Sequence, residues 1–160
     1  MAATAAEARF RIDAPIAPSR ASRVVALDQD AATVVRQVAT QPWASARFFV
    51  YDDSPGSANG HGGSADSLKL RTMDGSVVML GETLAGVDVA VMVAADDAGA
   101  VAAQSIGAAC TARGIMTAGL VLSDGDHVGR ALSALRPHAR VLLVPAEPDD
   151  LVQLLTALRA

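Results

Sequence analysis

The chain has 160 residues, half of them apolar, and a formal net charge of −4. This length predicts one domain with a single core, and no apolar segment reaches the roughly 20 residues that a membrane span requires. The acidic balance argues against nucleic acid as a partner, and the single cysteine, Cys110, excludes a disulfide framework and fits a cytoplasmic protein.

The N-terminal part of the chain predicts a tail and then a first strand and helix. Residues 1–22 mix Ala, Arg and Pro without a sustained period, which predicts a mobile tail ahead of one domain over 23–160. The apolar run 24–27 predicts a short buried strand. Valines at helical spacing then predict a helix that begins at Asp30 and ends near Pro42.

A second strand and a hairpin follow. The run 47–51 predicts the strand, and the Gly-, Ser- and Asn-rich segment 54–66 favours irregular structure. Two further runs, 68–73 and 76–80, flank the dipeptide Asp74-Gly75, which tolerates the positive φ angles of a two-residue turn. We therefore expect a β-hairpin at one edge of the sheet.

The clearest pattern lies between Leu84 and Asp124. An apolar run, 87–95, precedes a helix pattern of small residues, and a second apolar run follows over 115–122. Strands that are apolar on both faces and joined by a helix belong to a buried parallel sheet with helices on both sides. A helix over 125–139, a strand over 141–144 and a helix over 148–158 complete the pattern. The sequence thus predicts an α/β fold with three layers: a Rossmann-like, doubly wound, mostly parallel sheet with an edge hairpin.

Two segments carry a resemblance to a known family. The stretch LAGVDVAVMVAADDAGAVAAQSIGAACTARGIMTAGLV is similar to the strand, phosphate-binding loop, helix and strand of the tubulin-like bacterial division GTPase FtsZ. The run RVLLVPAEPDDL resembles a later strand of the same family. The resemblance extends from about Arg23 to the C-terminus and implies the nucleotide-binding half of that fold. The family's core helix and second domain have no counterpart here, which implies that its GTPase cycle is lost.

The positions that bind nucleotide in that family have changed. Its first glycine-rich loop falls on residues 28–31, which read DQDA, and its second falls on 95–101, where Gly99 alone is kept. Asp96 and Asp97 would repel a polyphosphate and would occupy the N–H groups that bind it. We therefore expect no GTP binding of the family's kind.

Acidic residues follow every predicted parallel strand and should gather at the carboxyl edge of the sheet, where open parallel sheets bind ligands. We call this group the acidic rim: Asp28, Asp30, Asp52, Asp53, Asp96, Asp97, Asp124, Asp126 and Glu147. The candidate cofactor-binding residues are Asp28, Asp30, Asp52, Asp96, Asp97 and Gly99. The candidate ligands of a divalent cation are Asp28, Asp52, Asp96 and Asp124.

Helix capping is the alternative interpretation of the acidic rim. Asp30, Asp97 and either Asp124 or Asp126 directly precede a predicted helix, where a carboxylate accepts hydrogen bonds from free backbone N–H groups. Carboxylates that cap helices would accept hydrogen bonds from backbone N–H groups. Carboxylates that bind a ligand would instead be free of such bonds, and several would point to one place. No catalytic residue is assigned.

The leading functional interpretation is a non-catalytic, FtsZ-like domain that acts as a self-associating or partner-binding module. The alternative is a protein that binds a nucleotide or a divalent metal at the acidic rim. A third hypothesis is an enzyme whose active site is not evident from the sequence. Self-association is expected because five apolar residues within eight positions exceed one stripe of a surface helix. These residues are Leu151, Val152, Leu154, Leu155 and Leu158. We expect a two-fold homodimer through this C-terminal helix.

Overall fold

A computed structural model describes residues 18–54 and 64–160 of the chain. Its strands are β1 (Ser22–Ala26), β2 (Ala46–Tyr51), β3 (Lys69–Thr72), β4 (Val77–Met79), β5 (Val89–Ala94), β6 (Met116–Val121) and β7 (Val141–Leu143). Its α-helices are α1 (Gln29–Ala39), α2 (Leu80–Thr83), α3 (Ala100–Ala112), α4 (Gly129–Leu135) and α5 (Pro148–Ala157). Two short 3₁₀ helices span Ala65–Ser67 and Asp126–Val128.

The seven strands of the described residues form one sheet in the order β4-β3-β2-β1-β5-β6-β7. β1, β2, β5, β6 and β7 are parallel, and β3 runs antiparallel to both β2 and β4. The strand order reverses between β1 and β5, so this is the switch point of a doubly wound sheet. The predicted α/β fold with an edge hairpin is confirmed.

Alternation along each strand divides the core into two clusters. On β1 and directly after it, Val25 and Leu27 face the cluster under α3 and α4, whereas Val24 and Ala26 face the cluster under α1 and α5. Helices therefore lie on both faces of the sheet, which gives the three expected layers. Small side chains on α3, such as Ala102 and Ala103, are buried against the sheet.

Several element boundaries differ from the predicted ones. β1 begins at Ser22, inside the predicted tail, while residues 1–17 of that tail lie outside the described residues. Most of the Gly- and Ser-rich segment, 55–63, also lies outside them. The predicted helix over 125–139 is shorter, because the chain first forms the second 3₁₀ helix and α4 ends before Pro137.

The hairpin turn and the cysteine have the environments that their residue types require. The turn between β3 and β4 has three residues, 73–75, and not the predicted two, because the N–H of Gly75 donates to the Thr72 carbonyl and the N–H of Thr72 donates to the Ser76 carbonyl. Gly75 has a φ of +91°, which a glycine adopts at little cost, whereas Asp74 does not have a positive φ. Cys110 is buried, and burial raises the pKa of its thiol to about 11. The thiol is therefore a packing group in the core.

Within the described ranges, no helix has the length and apolar character needed to cross a membrane.

Candidate functional site

The candidate site lies at the carboxyl edge of β1 and β5. The two strands are parallel neighbours, with Ala26 aligned to Val93, and the backbone N–H of Leu27 donates to the carbonyl of Val93 at 2.9 Å. The loop from β1 to α1 and the loop from β5 to α3 therefore leave the sheet side by side. This is the position at which doubly wound sheets bind their ligands.

The side chain of Asp28 joins these two loops. Its Oδ1 accepts a hydrogen bond from the N–H of Ala31 at 2.8 Å, which makes Asp28 the N-cap of α1. Its Oδ2 accepts hydrogen bonds from the N–H groups of Ala95 at 2.7 Å and Asp96 at 3.2 Å. The residue is only 7% exposed. We call this arrangement the Asp28 bridge.

The Asp28 bridge uses the same kind of donors that bind phosphate in other Rossmann-like proteins. Backbone N–H groups at a helix N-terminus and in the neighbouring loop form an anion-binding position at the switch point. In this chain a carboxylate from the protein itself occupies that position. An incoming phosphate would have to displace a tethered anion and remain close to a second carboxylate, that of Asp96.

Gly99 has a packing role at the start of α3. A Cβ atom built on it would lie 2.3 Å from the carbonyl oxygen of Leu27 and 2.5 Å from the Leu27 Cβ. Only a residue without a side chain lets the β5–α3 loop approach the end of β1 this closely. Gly99 is therefore needed for contact between the two loops.

Asp96 and Asp97 also accept hydrogen bonds from backbone N–H groups. Asp96 Oδ1 accepts from the N–H of Ala98 at 2.7 Å, within its own loop. Asp97 Oδ1 accepts from the N–H of Ala131 at 2.7 Å, in the first turn of α4. Asp97 therefore connects the β5–α3 loop to α4, which no local sequence pattern indicates.

Asp52 belongs to a separate set of contacts at the end of β2. It accepts hydrogen bonds from the N–H of Ser54 at 3.2 Å and from the Ser54 hydroxyl, and it forms an ion pair of 3.0 Å with Arg71. The Ser54 hydroxyl lowers the pKa of Asp52, and Arg71 adds to this effect against the opposing effect of burial. The carboxylate is therefore stabilised by its own neighbours.

Asp30 and Asp124 are the two remaining candidates, and both are exposed. Asp30 lies in the first turn of α1, so the prediction that it directly precedes that helix is wrong, and Asp28 is the cap. Asp97 is likewise not the cap of α3, because Gly99 holds that position. In the part of the chain that the structure describes, no three His, Cys, Asp or Glu side chains are grouped to hold a metal ion.

A pair of side chains that the sequence did not connect lies in the β6–α4 loop. Ser123 Oγ and His127 Nε2 are 3.0 Å apart, and both belong to an exposed turn of the chain. The N–H of Gly125 also points to Ser123 Oγ at 3.5 Å, so this contact holds the turn together.

Nearby, a groove of about 810 Å³ lies between α3 and α4, lined in part by Asp97 and Arg130.

No protein-family model matches the chain, and no curated protein matches it significantly.

Proposed function

We propose that the chain is a non-catalytic, Rossmann-like domain that acts as a self-associating or partner-binding module in the cytoplasm. In this proposal the domain has lost GTP binding of the kind found in the FtsZ family. Descent from the nucleotide-binding half of the FtsZ family is part of this proposal. The observation that supports the proposal is the Asp28 bridge, in which one carboxylate accepts hydrogen bonds from three backbone N–H groups at the switch point.

The Asp28 bridge is energetically favoured over a bound nucleotide. Hydrogen bonds to a charged group contribute about 1.5 to 3 kcal/mol each, and a nucleotide phosphate would have to replace them. The tethered carboxylate also has no translational freedom to lose, whereas a free ligand does. Asp96 and Asp97 lie at the same edge of the sheet, where each accepts a hydrogen bond from a backbone N–H group. Their negative charges would repel a bound anion.

Self-association is supported by the apolar residues on α5. Leu151 and Leu155 are fully buried in the core under α1 and α5. Val152, Leu154 and Leu158 are only half-buried, although they pack against the same cluster. Half-buried apolar side chains on the outermost helix of this face provide a surface for a second copy of the chain.

The first prediction concerns the mass of the protein in solution. Light scattering at micromolar concentration should give a mass above that of one chain. We expect the mass of two chains, because the proposed assembly is a homodimer through α5. Val152→Lys should return the mass to that of a monomer, because it places a charge in the apolar contact. Gln153→Lys is the matched control, since Gln153 is exposed on the same helix, and it should leave the mass unchanged. A monomeric wild type would contradict the proposal.

The second prediction tests the alternative of a metal-binding protein. Millimolar Mg²⁺ or Ca²⁺ should leave the melting temperature unchanged, because the carboxylates of Asp28, Asp52 and Asp96 already have partners. A cation at 100 times its dissociation constant would add about 2.7 kcal/mol of stability, which a melting curve detects easily. A rise in melting temperature that Asp96→Asn removes would favour the alternative function.

A further inference from the structure

Two arginines lie side by side near the starts of the two parallel strands β1 and β2. Arg23 on β1 and Arg47 on β2 are aligned partners in the parallel register. Val25 and Phe49, two positions further along these strands, belong to the core cluster under α3 and α4, so alternation places both arginines on that face of the sheet. We call these two residues the arginine pair. It lies at the amino edge of the sheet, at the opposite end of the strands from the Asp28 bridge.

Hydrogen bonds hold the two guanidinium groups in matching positions. Arg23 Nη1 donates to the carbonyl of Ser22 at 3.1 Å, and Arg47 Nη1 donates to the carbonyl of Ala46 at 3.0 Å. Ser22 and Ala46 are themselves aligned between β1 and β2. The two guanidinium groups are therefore offset by the spacing of neighbouring strands, about 4.8 Å. One oxyanion can contact both groups at this separation.

The side chain of Arg23 is fixed by the end of a helix. Its Nε donates to the carbonyl of Thr83, the last residue of α2, at 3.1 Å. Arg23 is half-buried, whereas Arg47 is exposed. Burial lowers the pKa of the Arg23 guanidinium, and the positive charge of Arg47 lowers it further. Both side chains nevertheless stay charged at neutral pH, as arginine does in proteins. The fold therefore keeps two positive charges next to each other.

No carboxylate neutralises these charges in the part of the chain that the structure describes, where neither arginine forms an ion pair. Asp88 lies at the same edge, directly before β5, but its carboxylate accepts a hydrogen bond from the N–H of Ala21 at 2.9 Å. Like charges on directly opposed residues of neighbouring strands destabilise a sheet. An anion bound between the two guanidinium groups would remove this repulsion.

The donors that remain define the chemistry of such an anion. Among the described residues, Nη2 of Arg23 and both Nε and Nη2 of Arg47 have no hydrogen-bond partner. The planar guanidinium group matches the oxygens of a phosphate or a carboxylate with two parallel N–H donors. A phosphate group carries close to two negative charges at neutral pH, whereas a carboxylate carries one. The two charges of the arginine pair therefore favour a phosphate group.

We propose that the arginine pair binds a phosphate group, either as inorganic phosphate or as a phosphate monoester. This site goes beyond the proposed self-association and does not depend on it. Solvent screens the exposed charge of Arg47, so the expected dissociation constant is on the order of 1 mM.

Melting curves of the full chain test the site. About 20 mM phosphate at neutral pH should raise the melting temperature by about 3 to 6 °C over sodium chloride of the same ionic strength. Arg47→Gln should lose most of this rise. In chloride alone it should be at least as stable as the wild type, because the repulsion with Arg23 is gone. Arg36→Gln is the matched control, since Arg36 is exposed in the last turn of α1, and it should keep the rise.

Phenyl phosphate distinguishes the two sources of the group. A rise equal to that with inorganic phosphate assigns the site to a phosphate monoester on a larger molecule, and a rise with inorganic phosphate alone assigns it to the free ion. No rise over chloride, or a full rise in Arg47→Gln, would overturn the site. Neither of these results changes the mass measured by light scattering, so this inference and the proposed self-association fail separately. Circular dichroism verifies that Arg47→Gln is folded, which is expected because Arg47 is exposed.

Discussion

Asp28→Ala is expected to destabilise the domain by about 3 to 5 kcal/mol. The substitution removes the acceptor of three backbone N–H groups, those of Ala31, Ala95 and Asp96. Loss of an N-cap alone costs about 1 kcal/mol, and each further donor left without a partner adds about 1 to 3 kcal/mol, reduced where water can enter. The effect is large because one carboxylate serves both loops.

Urea unfolding followed by circular dichroism measures this effect. Asp28→Asn should fall between the wild type and Asp28→Ala, because the amide keeps one acceptor oxygen but directs an NH₂ group at other donors. Asp30→Ala is the control, since Asp30 is exposed in the first turn of the same helix, and it should cost less than about 1 kcal/mol. A loss below about 1 kcal/mol for Asp28→Ala would mean that the bridge contributes no more than an ordinary cap.

Gly99→Ala is expected to destabilise the domain by about 3 kcal/mol, through crowding of the backbone. The added Cβ would lie 2.3 Å from the carbonyl oxygen of Leu27, which belongs to the backbone and cannot rotate away. The β5–α3 loop would have to move outward, and this movement would also lengthen the hydrogen bonds from Ala95 and Asp96 to Asp28. The two largest expected effects therefore act on the same pair of loops.

Gly129→Ala is the matched control for this prediction. Gly129 begins α4 with a φ of −62°, and a Cβ atom there would meet no atom within 4 Å. Because alanine is a better helix former, this variant should be unchanged or up to about 1 kcal/mol more stable. If Gly99→Ala unfolds at the same urea concentration as the wild type, the loops are not packed as described.

Much of the fold could be predicted because its signals are local. The long apolar runs that became β5 and β6 predict buried parallel strands, and Asp74-Gly75 predicts the turn of the hairpin. Element ends were harder to predict. The 3₁₀ turn ahead of α4 depends on how the loop after β6 packs, and a helical pattern of apolar residues does not reveal that.

The candidate site could be predicted only in part. Strand ends at one sheet edge predict that acids gather there, but they do not indicate which carboxylate turns inward. Asp28 finds its second partner, Ala95, 67 positions away, and Asp97 finds Ala131 34 positions away. These contacts follow from the alignment of β1 with β5 and from the position of α4.

Calorimetric titration of GTP and Mg²⁺ into the wild-type protein tests the central claim, that the Asp28 carboxylate occupies the anion position at the switch point. We expect a dissociation constant no tighter than millimolar, which corresponds to about −4 kcal/mol. GDP should behave in the same way, because both nucleotides would place phosphates where the bridge lies. A micromolar constant, about −8 kcal/mol, would show that the bridge gives way to a ligand and would contradict the account.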